Sequence, residues 1–492
     1  MRIKLSIIFL LLSMNIHAQQ KYFSNRYNLD YGEFSYSVLQ HDSQYTILSS
    51  CYSHGGSKIR TLLSITDSLG SVLFTKSVES SYRNYYPGQM GSLIETDDGG
   101  YAAGGTITDS TVNGDGILYK FNSIGDTLWT AIFGDTAFQK FNQVKKTRDG
   151  GYILIGGSSS LDYWQDVWLL KTDSLGNFEW EKFFGHPGEL EEGSSVVQTA
   201  DGGYFIGGER YNYSTEDGDW LMIKTDSLGN QQWEKLFGGP YGESCYSVLE
   251  AQDGSLVGGG FYTDYCLGPH NGSPFCRPNI IKLDTAGNLI WNKKYGPSKY
   301  ITGLVSICET PDGGIAGTGS YYEDSVPIAQ FKGMVIKADS QGDSVWFRNY
   351  THLNYHSDNS LYDIRTTSDG GFIISGNLQP MMPDTGFIDT WILKLDSTGC
   401  EVSNCWLNVG LKDPDLYIDD FVIYPNPSTG IFHIQTREEI ETTEVFSYTG
   451  QQILFSNAKA YEIDLSKMPT GIYFYKITTR TNKIFQGKVL KE

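Results

Sequence analysis

The 492-residue sequence has few charged residues and, beyond its N-terminus, no long hydrophobic run. Charged residues make up 19% of the chain, and the formal net charge is −20. An acidic surface repels nucleic-acid phosphates, which argues against a nucleic-acid partner. No later stretch approaches the roughly 20 apolar residues that a transmembrane helix needs, so we expect no membrane-spanning segment.

Several motifs of catalysis and metal binding are also missing. The chain has no Gly-x-Ser-x-Gly elbow, no His-Glu-x-x-His pair and no Cys-x-x-Cys pair, which removes support for a serine hydrolase, a zinc protease and a zinc ribbon. We therefore expect no cofactor and no catalytic residue from a known motif. The spacing of Asp109, Thr111, Asn113 and Asp115 leaves a loose calcium site open, although Lys120 stands where an EF-hand places its bidentate Glu.

Aromatic residues and glycine are abundant, at 14% of the chain and 56 copies, which favours short strands and tight turns. Residues 1–18 are typical of an export signal: Arg2 and Lys4 precede an apolar run, and Ala18 ends a plausible cleavage site. The alternative is a buried N-terminal helix. With the signal, the mature protein is expected outside the cytoplasm.

The seven cysteines would meet an oxidising compartment after export. Cys266 and Cys276 lie in one long loop, and Cys400 and Cys405 bracket a short turn, so each pair is predicted to form a local disulfide. The other three are interpreted as small buried apolar residues: Cys51, Cys245 and Cys308.

An internal repeat dominates residues 19–406. Its first motif is Asp-Gly followed by an aromatic or apolar strand ending in glycines, as in DGGYFIGG from Asp201. Its second motif is Lys-x-Asp-Ser-x-Gly-Asn followed by Trp, as in KTDSLGNQQW from Lys224. Both motifs suit tight turns because glycine accepts positive φ. Each of the seven repeats is therefore predicted to form four strands.

Seven four-stranded units predict an all-β fold, a seven-bladed β-propeller over 19–406, because a closed ring buries both faces of every blade. The segment 21–28 resembles a fourth strand and is predicted to complete the last blade. An open solenoid or two stacked sheets is the alternative. The repeat resembles the Asp-Gly-Gly-Tyr propeller repeats of exported Bacteroidota proteins, a resemblance that implies the fold and not the activity.

Residues 407–420 are polar and acidic and are interpreted as a linker. Residues 421–492 alternate strand-like runs with Pro, Gly and Asn, which predicts a small Ig-like β-sandwich. This segment closely resembles the type A C-terminal sorting domain of the type IX secretion system. The matching residues are Pro425, Asn426, Pro427, Gly430, Asp464, Gly471, Tyr473 and Lys488.

The sorting resemblance implies recognition by an outer-membrane translocon, followed by release or attachment at the cell surface. The alternative is an ordinary sandwich module with another ligand.

Ligand-binding residues are expected in the loops between the second and third strands of the blades and in the connections between blades, which share one face of a propeller. The candidates are Tyr163, Trp164, Tyr211, Tyr213, Tyr262, Tyr265, Glu192 and Glu243. The recurring tryptophans of the second motif are interpreted as packing between blades.

These features favour a non-enzymatic module that binds a glycan or a protein. A hydrolase or lyase with carboxylates at the propeller mouth is one alternative, and a structural or adhesive surface component is another.

Overall fold

The computed structural model describes eighteen segments of the chain. Among these residues the chain forms strands and turns but no helix, so none of the described segments contains a helix able to cross a membrane. Two compact units result, Met1–Ser403 and Asn404–Glu492. The described segments are 22–28, 31–52, 58–89, 91–109, 114–159, 165–213, 217–265, 275–296, 301–323, 330–353, 357–381, 386–401, 421–424, 428–436, 439–447, 450–456, 461–480 and 484–491.

The first unit consists of antiparallel sheets of four strands, here called blades 1 to 7 and numbered along the chain. The first strand of the chain is β1 (Phe23–Tyr27), followed by blade 1 with β2 (Tyr31–His41), β3 (Gln44–Tyr52), β4 (Ile59–Thr66) and β5 (Val72–Val78). Blade 2 contains β6 (Asn84–Pro87) and β7 (Leu93–Glu95), which together form its interrupted first strand, then β8 (Tyr101–Thr108), β9 (Gly114–Phe121) and β10 (Thr127–Phe133). Blade 3 contains β11 (Phe138–Lys146), β12 (Tyr152–Ser159), β13 (Gln165–Thr172) and β14 (Phe178–Phe184).

The remaining blades follow the same order. Blade 4 contains β15 (Glu189–Gln198), β16 (Tyr204–Asn212), β17 (Asp217–Thr225) and β18 (Gln231–Phe237). Blade 5 contains β19 (Ser244–Glu250), β20 (Leu256–Tyr265), β21 (Phe275–Leu283) and β22 (Leu289–Lys294). Blade 6 contains β23 (Ile301–Glu309), β24 (Ile315–Glu323), β25 (Gln330–Ala338) and β26 (Ser344–Tyr350), and one bridge joins it to blade 5. Blade 7 contains β27 (Ser357–Thr366), β28 (Phe372–Pro380) and β29 (Asp389–Leu395).

The ring closes through the first strand of the chain. β1 pairs antiparallel with β29, so that Phe23 stands opposite Lys394 and Tyr27 opposite Thr390. This confirms the seven-bladed propeller and the prediction that the N-terminal strand completes the last blade. Tyr27 Oη donates to the carbonyl oxygen of Gly70 in blade 1, as Tyr350 Oη of blade 6 donates to Gly399 O of blade 7 at 2.7 Å.

Tryptophans of the fourth strands join neighbouring blades. The ring of Trp180 meets that of Tyr204 edge-on at 5.8 Å, and a Cβ on Gly229, where φ is +76°, would lie 2.6 Å from the indole. Only glycine accommodates both the backbone and the ring. The tryptophans that pack in this way against a turn glycine of the next blade are Trp129, Trp180, Trp233, Trp291 and Trp346.

The two repeat motifs meet in an ion pair that buries the lysine and leaves the aspartate partly exposed. Lys224 from the second motif is almost fully buried, and its Nζ lies 2.9 Å from Oδ2 of Asp201 in the first motif. Six blades have this pair: Lys120–Asp98, Lys171–Asp149, Lys224–Asp201, Lys282–Asp253, Lys337–Asp312 and Lys394–Asp369. Blade 1 carries Ile65 in the lysine position and lacks the Asp-Gly turn.

The first strand of each blade lies next to the central channel, and hydrogen bonds link these strands around it. Ser195 Oγ accepts from Val248 N of the next blade at 3.1 Å, and Asp363 Oδ2 of blade 7 accepts from Val38 N of blade 1 at 3.1 Å. We call these acceptor side chains the hydrogen-bond ring. A β-bulge shifts the register immediately before the ring residue in six of the seven blades: at Ser35/Ser37, Phe141/Gln143, Gly193/Ser195, Cys245/Ser247, Leu304/Ser306 and Leu361/Asp363.

The C-terminal unit has two sheets around one core, which confirms the predicted β-sandwich. One sheet has the order β30 (Phe421–Tyr424), β31 (Ile431–Thr436) and β34 (Glu462–Asp464); the other has β33 (Gln452–Ser456), β32 (Ile440–Ser447), β35 (Gly471–Thr479) and β36 (Ile484–Lys491).

The predicted sorting residues occupy turns and core of this unit. Gly430 has φ +146°, and a Cβ there would lie 2.6 Å from the Ser466 Cα. Asp464 Oδ1 accepts from Ser466 N at 2.9 Å, and Tyr473 Oη donates to Pro469 O at 2.7 Å. Gly471 begins β35 and Lys488 lies in β36, whereas 425–427 lie outside the described residues.

The cysteines differ from the prediction at one pair. Cys400 is buried and disulfide-bonded, and its predicted partner Cys405 lies outside the described residues. Cys276 instead carries a thiol, whose sulfur lies 3.4 Å from Thr263 Oγ1 on the neighbouring strand. The predicted bridge to Cys266, itself outside the described residues, is therefore wrong for this structure, because the Cys276 side chain faces the interior of blade 5 rather than the loop.

Candidate functional site

Polar and aromatic side chains gather at one end of the central channel. At this end the first strands begin and the second strands end, as the pairing of Glu189 with Asn212 in blade 4 shows. The loops between second and third strands therefore lie at the same end. We define the channel mouth by Phe34, Tyr36, Lys140, Asn142, Glu192, Glu209, Ser244, Tyr246 and Tyr362, which stand on or beside the bulges of the first strands.

Blades 7 and 1 give the channel mouth an aromatic side. Tyr36 and Tyr362 are the bulged residues of these neighbouring blades, and their rings meet edge-on at 5.8 Å. Phe34 stacks beside Tyr36 at 6.4 Å. All three side chains are partly exposed. Burial raises the pKa of Tyr36 to about 12, so its hydroxyl is neutral and can donate and accept hydrogen bonds.

Blades 3, 4 and 5 give it an acidic side. Glu192 and Glu209 are directly paired across β15 and β16. Lys140 Nζ lies 2.6 Å from Glu192 Oε1, and Asn142 Nδ2 donates to the same oxygen at 2.6 Å. Ser244 Oγ of blade 5 donates to Glu209 Oε2. One carboxylate of the pair is thus neutralised by a cation, and the other is held by a hydroxyl.

The surroundings of Glu209 also change its pKa. Burial raises the pKa of Glu209, and the nearby charge of Glu192 acts in the same direction. Tyr246 lies close to both carboxyl groups, and burial, followed by the charge of Glu209, raises its pKa to about 12. The pair therefore places two carboxyl groups side by side in different surroundings, one beside an ammonium and the other bonded to a hydroxyl.

The channel mouth offers two kinds of contact. Aromatic rings pack against the apolar C–H face of a pyranose, and acid, amide and hydroxyl groups bond its hydroxyls. The aromatic side and the acidic side therefore supply both kinds of contact at one end of one channel.

The predicted loop tyrosines make contacts of their own. Tyr211 and Tyr213 contact each other edge-on at 4.8 Å in blade 4, and in blade 5 the Lys294 ammonium lies 3.0 Å from the centre of the Tyr262 ring. Glu192, in contrast, contacts blade 3. Residues 160–164, with Tyr163 and Trp164, and the side chain of Tyr265 lie outside the described part of the chain.

Glu243, another predicted ligand-binding residue, is buried and bonded within the protein. Its carboxylate accepts from Gly239 N at 3.0 Å and from Thr263 N at 3.4 Å. Burial raises its pKa to about 7, and the charges of Asp217 and Asp219 act in the same direction. The side chain therefore positions the connection that leads into blade 5.

The described residues contain one group that could hold a metal ion: ligand atoms of His186, Glu189 and Glu191 lie within 4.8 Å of one another. Arg210 pairs with Glu189, and its Nε lies 3.6 Å from Glu191 Oε1. A guanidinium thus already neutralises this cluster. The calcium-loop spacing predicted at 109–115 falls largely on 110–113, which lie outside the described residues.

Sequence reasoning selected Glu192 but missed the other channel-mouth residues on the inner strands, because it looked for candidates mainly in loops. Tyr246 and Tyr362 each stand seven residues before the Asp of an Asp-Gly turn. Tyr36 occupies the equivalent place in blade 1, which lacks that turn. This fixed spacing is visible in the sequence. The direction of these side chains depends on the β-bulge, however, and the simple alternation of side chains along a strand does not predict a bulge.

Residues 422–492 match the family model of the secretion system C-terminal sorting domain. No curated protein matches the sequence. Among solved structures, the β-propeller domain of the Trilobed protease from Pyrococcus furiosus is 8% identical, with a TM-score of 0.41 over 74% of this chain and 94% of that chain.

Two other solved structures show similar values. A protein of unknown function from Dyadobacter fermentans is 10% identical, with a TM-score of 0.41 over 64% of this chain and 98% of that one. The α-L-arabinanase of Penicillium chrysogenum, solved with arabinobiose, is 13% identical, with a TM-score of 0.39 over 63% and 93% of the two chains. At such identities the likeness concerns the fold alone.

Proposed function

We propose that this type IX secretion substrate, a β-propeller followed by its C-terminal sorting domain, binds an extracellular glycan at the channel mouth. The sorting domain marks the protein for export to the cell surface or the medium. In this proposal, residues 1–18 are the export signal and residues 407–420 link the propeller to the sorting domain. The observation that carries the proposal is that the Tyr36–Tyr362 pair and the Glu192–Glu209 pair stand at the same end of the channel.

The convergence of these groups favours a glycan over a protein as the ligand. A stable protein interface takes on the order of 800 Å² from each partner, whereas the polar and aromatic groups described here gather around the end of one channel. A sugar chain entering that end contacts both sides. Loss of one stacked aromatic ring is expected to weaken such binding about 5- to 10-fold, since an aromatic contact contributes roughly 1 kcal/mol beyond its area.

The test is binding of the purified secreted protein to an array of polysaccharides, followed by calorimetry on each hit. Tyr36→Ala and Tyr362→Ala should weaken binding, and Glu192→Gln should change which glycans are bound. The matched control is Phe178→Ala, because Phe178 is an exposed aromatic residue on the outer strand of blade 3. Equal loss in the control, or binding of proteins but no glycan, contradicts the proposal.

The Glu209 carboxyl group supports a second candidate, a polysaccharide hydrolase or lyase. A carboxyl group with a raised pKa can give a proton to a leaving oxygen, while the Glu192 carboxylate, which is paired with Lys140, can accept a proton from water or substrate. Release of soluble sugars from a bound polymer, lost in Glu209→Gln with binding retained, would establish this activity. Binding without turnover leaves the binding function alone.

A further inference from the structure

A second group of charged side chains lies deeper in the channel, beyond the hydrogen-bond ring. Lys145 and Arg365 each stand two residues after a ring residue, Gln143 in blade 3 and Asp363 in blade 7. The equivalent position in the other five blades holds an uncharged side chain: Leu39, Ile94, Val197, Leu249 and Cys308. Two cations therefore interrupt an otherwise apolar level of the channel.

Arg365 crosses from its own blade toward blade 2. Its Nε lies 3.2 Å from Asp363 Oδ2, and its Nη2 donates to the carbonyl oxygen of Gly91 at 3.0 Å. Gly91 lies between β6 and β7 of blade 2, the neighbour of blade 3, which carries Lys145. Arg365 therefore reaches across the channel to the blade beside Lys145. Burial, followed by the Arg365 charge, lowers the pKa of Lys145 to about 7.

The carboxylate near these two cations is that of Asp363, which already accepts several hydrogen bonds from the protein. Asp363 is buried and accepts hydrogen bonds from Ser37 Oγ at 3.0 Å, from Val38 N at 3.1 Å and from Ser306 Oγ at 3.1 Å, besides the Arg365 contact. Within the described part of the chain, the ammonium group of Lys145 makes no hydrogen bond or ion pair. The hydrogen bonds of Arg365 use its Nε and Nη2, and none uses Nη1. Both side chains remain partly open to solvent.

We propose that this level of the channel is a binding site for a small oxyanion of the phosphate or sulfate class, held between Lys145 Nζ and the guanidinium of Arg365. Asp363 supplies one negative charge for two cations, and a bound oxyanion would supply the second. The oxygens of the anion can accept hydrogen bonds from both the planar guanidinium and the ammonium. The site does not depend on the glycan proposal, because the hydrogen-bond ring separates it from the channel mouth.

The experiment is calorimetry and thermal unfolding of the full purified chain with inorganic phosphate or sulfate, against chloride at equal ionic strength. At about pH 6, below the pKa of Lys145, phosphate or sulfate should bind and raise the Tm more than chloride does. Lys145→Met should lose about tenfold or more in anion affinity, and Lys145→Arg should retain it. Lys145→Met removes an unpaired cation, so its Tm without the anion should equal or exceed that of the wild type.

The matched control is Lys146→Met, which removes the next residue, a lysine paired at the surface with Asp97. It should keep the anion response. The proposal fails if the wild type responds equally to phosphate, sulfate and chloride, or if Lys145→Met responds to the oxyanions as the wild type does. Should Lys145→Met not fold, the wild-type comparison and Lys145→Arg decide the question.

Discussion

Lys224 Nζ lies 2.9 Å from Asp201 Oδ2 and also donates to Thr225 O at 2.9 Å, so one ammonium joins the turn of the first motif to the end of the third strand. The blade that lacks the lysine, blade 1, also lacks the Asp-Gly turn. The lysine of the second motif and the aspartate of the first motif therefore form one structural unit, so the two motifs recur together in the repeat.

Removing one partner of this pair should destabilise the propeller. Asp201→Asn leaves a buried ammonium without its counter-ion, and we expect a loss of about 1–3 kcal/mol in the free energy of unfolding, measured by chemical denaturation. The half-exposed position of Asp201 keeps the loss below that of a fully buried pair. The control, Asp42→Asn in blade 1, where the lysine position holds Ile65, should change stability by less than about 0.5 kcal/mol. Similar losses in both variants would contradict this assignment.

The same pairs predict how stability depends on acid. The lysine contacts, the neighbouring hydroxyls and backbone N–H groups hold the pKa of Asp98, Asp201 and Asp253 at about 2, below the ordinary value of 3.8. A carboxyl group with a lowered folded-state pKa contributes stability above the unfolded-state pKa and loses it as the pH falls toward the folded-state pKa. Thermal unfolding should therefore show a steep loss of Tm between about pH 4 and pH 2.

A variant that exchanges Asp201 and Lys224 together for Asn and Met should show a shallower loss in that interval. An unchanged slope would mean that other carboxylates govern the acid transition.

Glu243 predicts the opposite dependence near neutral pH. Its folded-state pKa of about 7 exceeds the ordinary value of 4.5, so the folded state binds more protons than the unfolded state between these values. Stability should fall as the pH rises through this interval. Glu243→Gln keeps the acceptor oxygen without a charge and should flatten that part of the curve in a Tm-against-pH series. If the variant and the wild type show parallel curves, Glu243 does not titrate in this interval.

The second glycine of the first motif predicts a steric effect. A Cβ on Gly203 would lie 2.1 Å from Thr225 O and 2.6 Å from Lys224 Nζ, so Gly203→Ala should destabilise the protein by about 1–3 kcal/mol through forced movement of β17. In blade 5 the same position holds Ser255, which already has a Cβ and donates to Asp253. Ser255→Ala should lose only that hydrogen bond, about 1 kcal/mol. Chemical denaturation of both variants tests the difference.

Most of the fold could be predicted because it depends on local turn chemistry repeated at a fixed spacing. The turns at Asp201 and Gly229 are specified by residues next to them in sequence, and ring closure follows from the leftover strand near Phe23. The candidate site depends instead on the directions of side chains, which the spacing of the repeat does not determine. Tyr362 reaches the channel mouth because of a bulge in β27, and Cys276 turns inward because its register places it opposite Thr263.

The pairing of β1 with β29 means that the outermost edge of the last blade is covered by a segment separated from it by almost the whole propeller sequence. In a molecule whose first strand is lost or displaced, the edge of β29 exposes unpaired backbone N–H and C=O groups. The first strand of another molecule can pair with this edge. The N-terminal segment thus closes the ring, and a copy that has lost it can accept the displaced first strand of another copy at the exposed edge of β29.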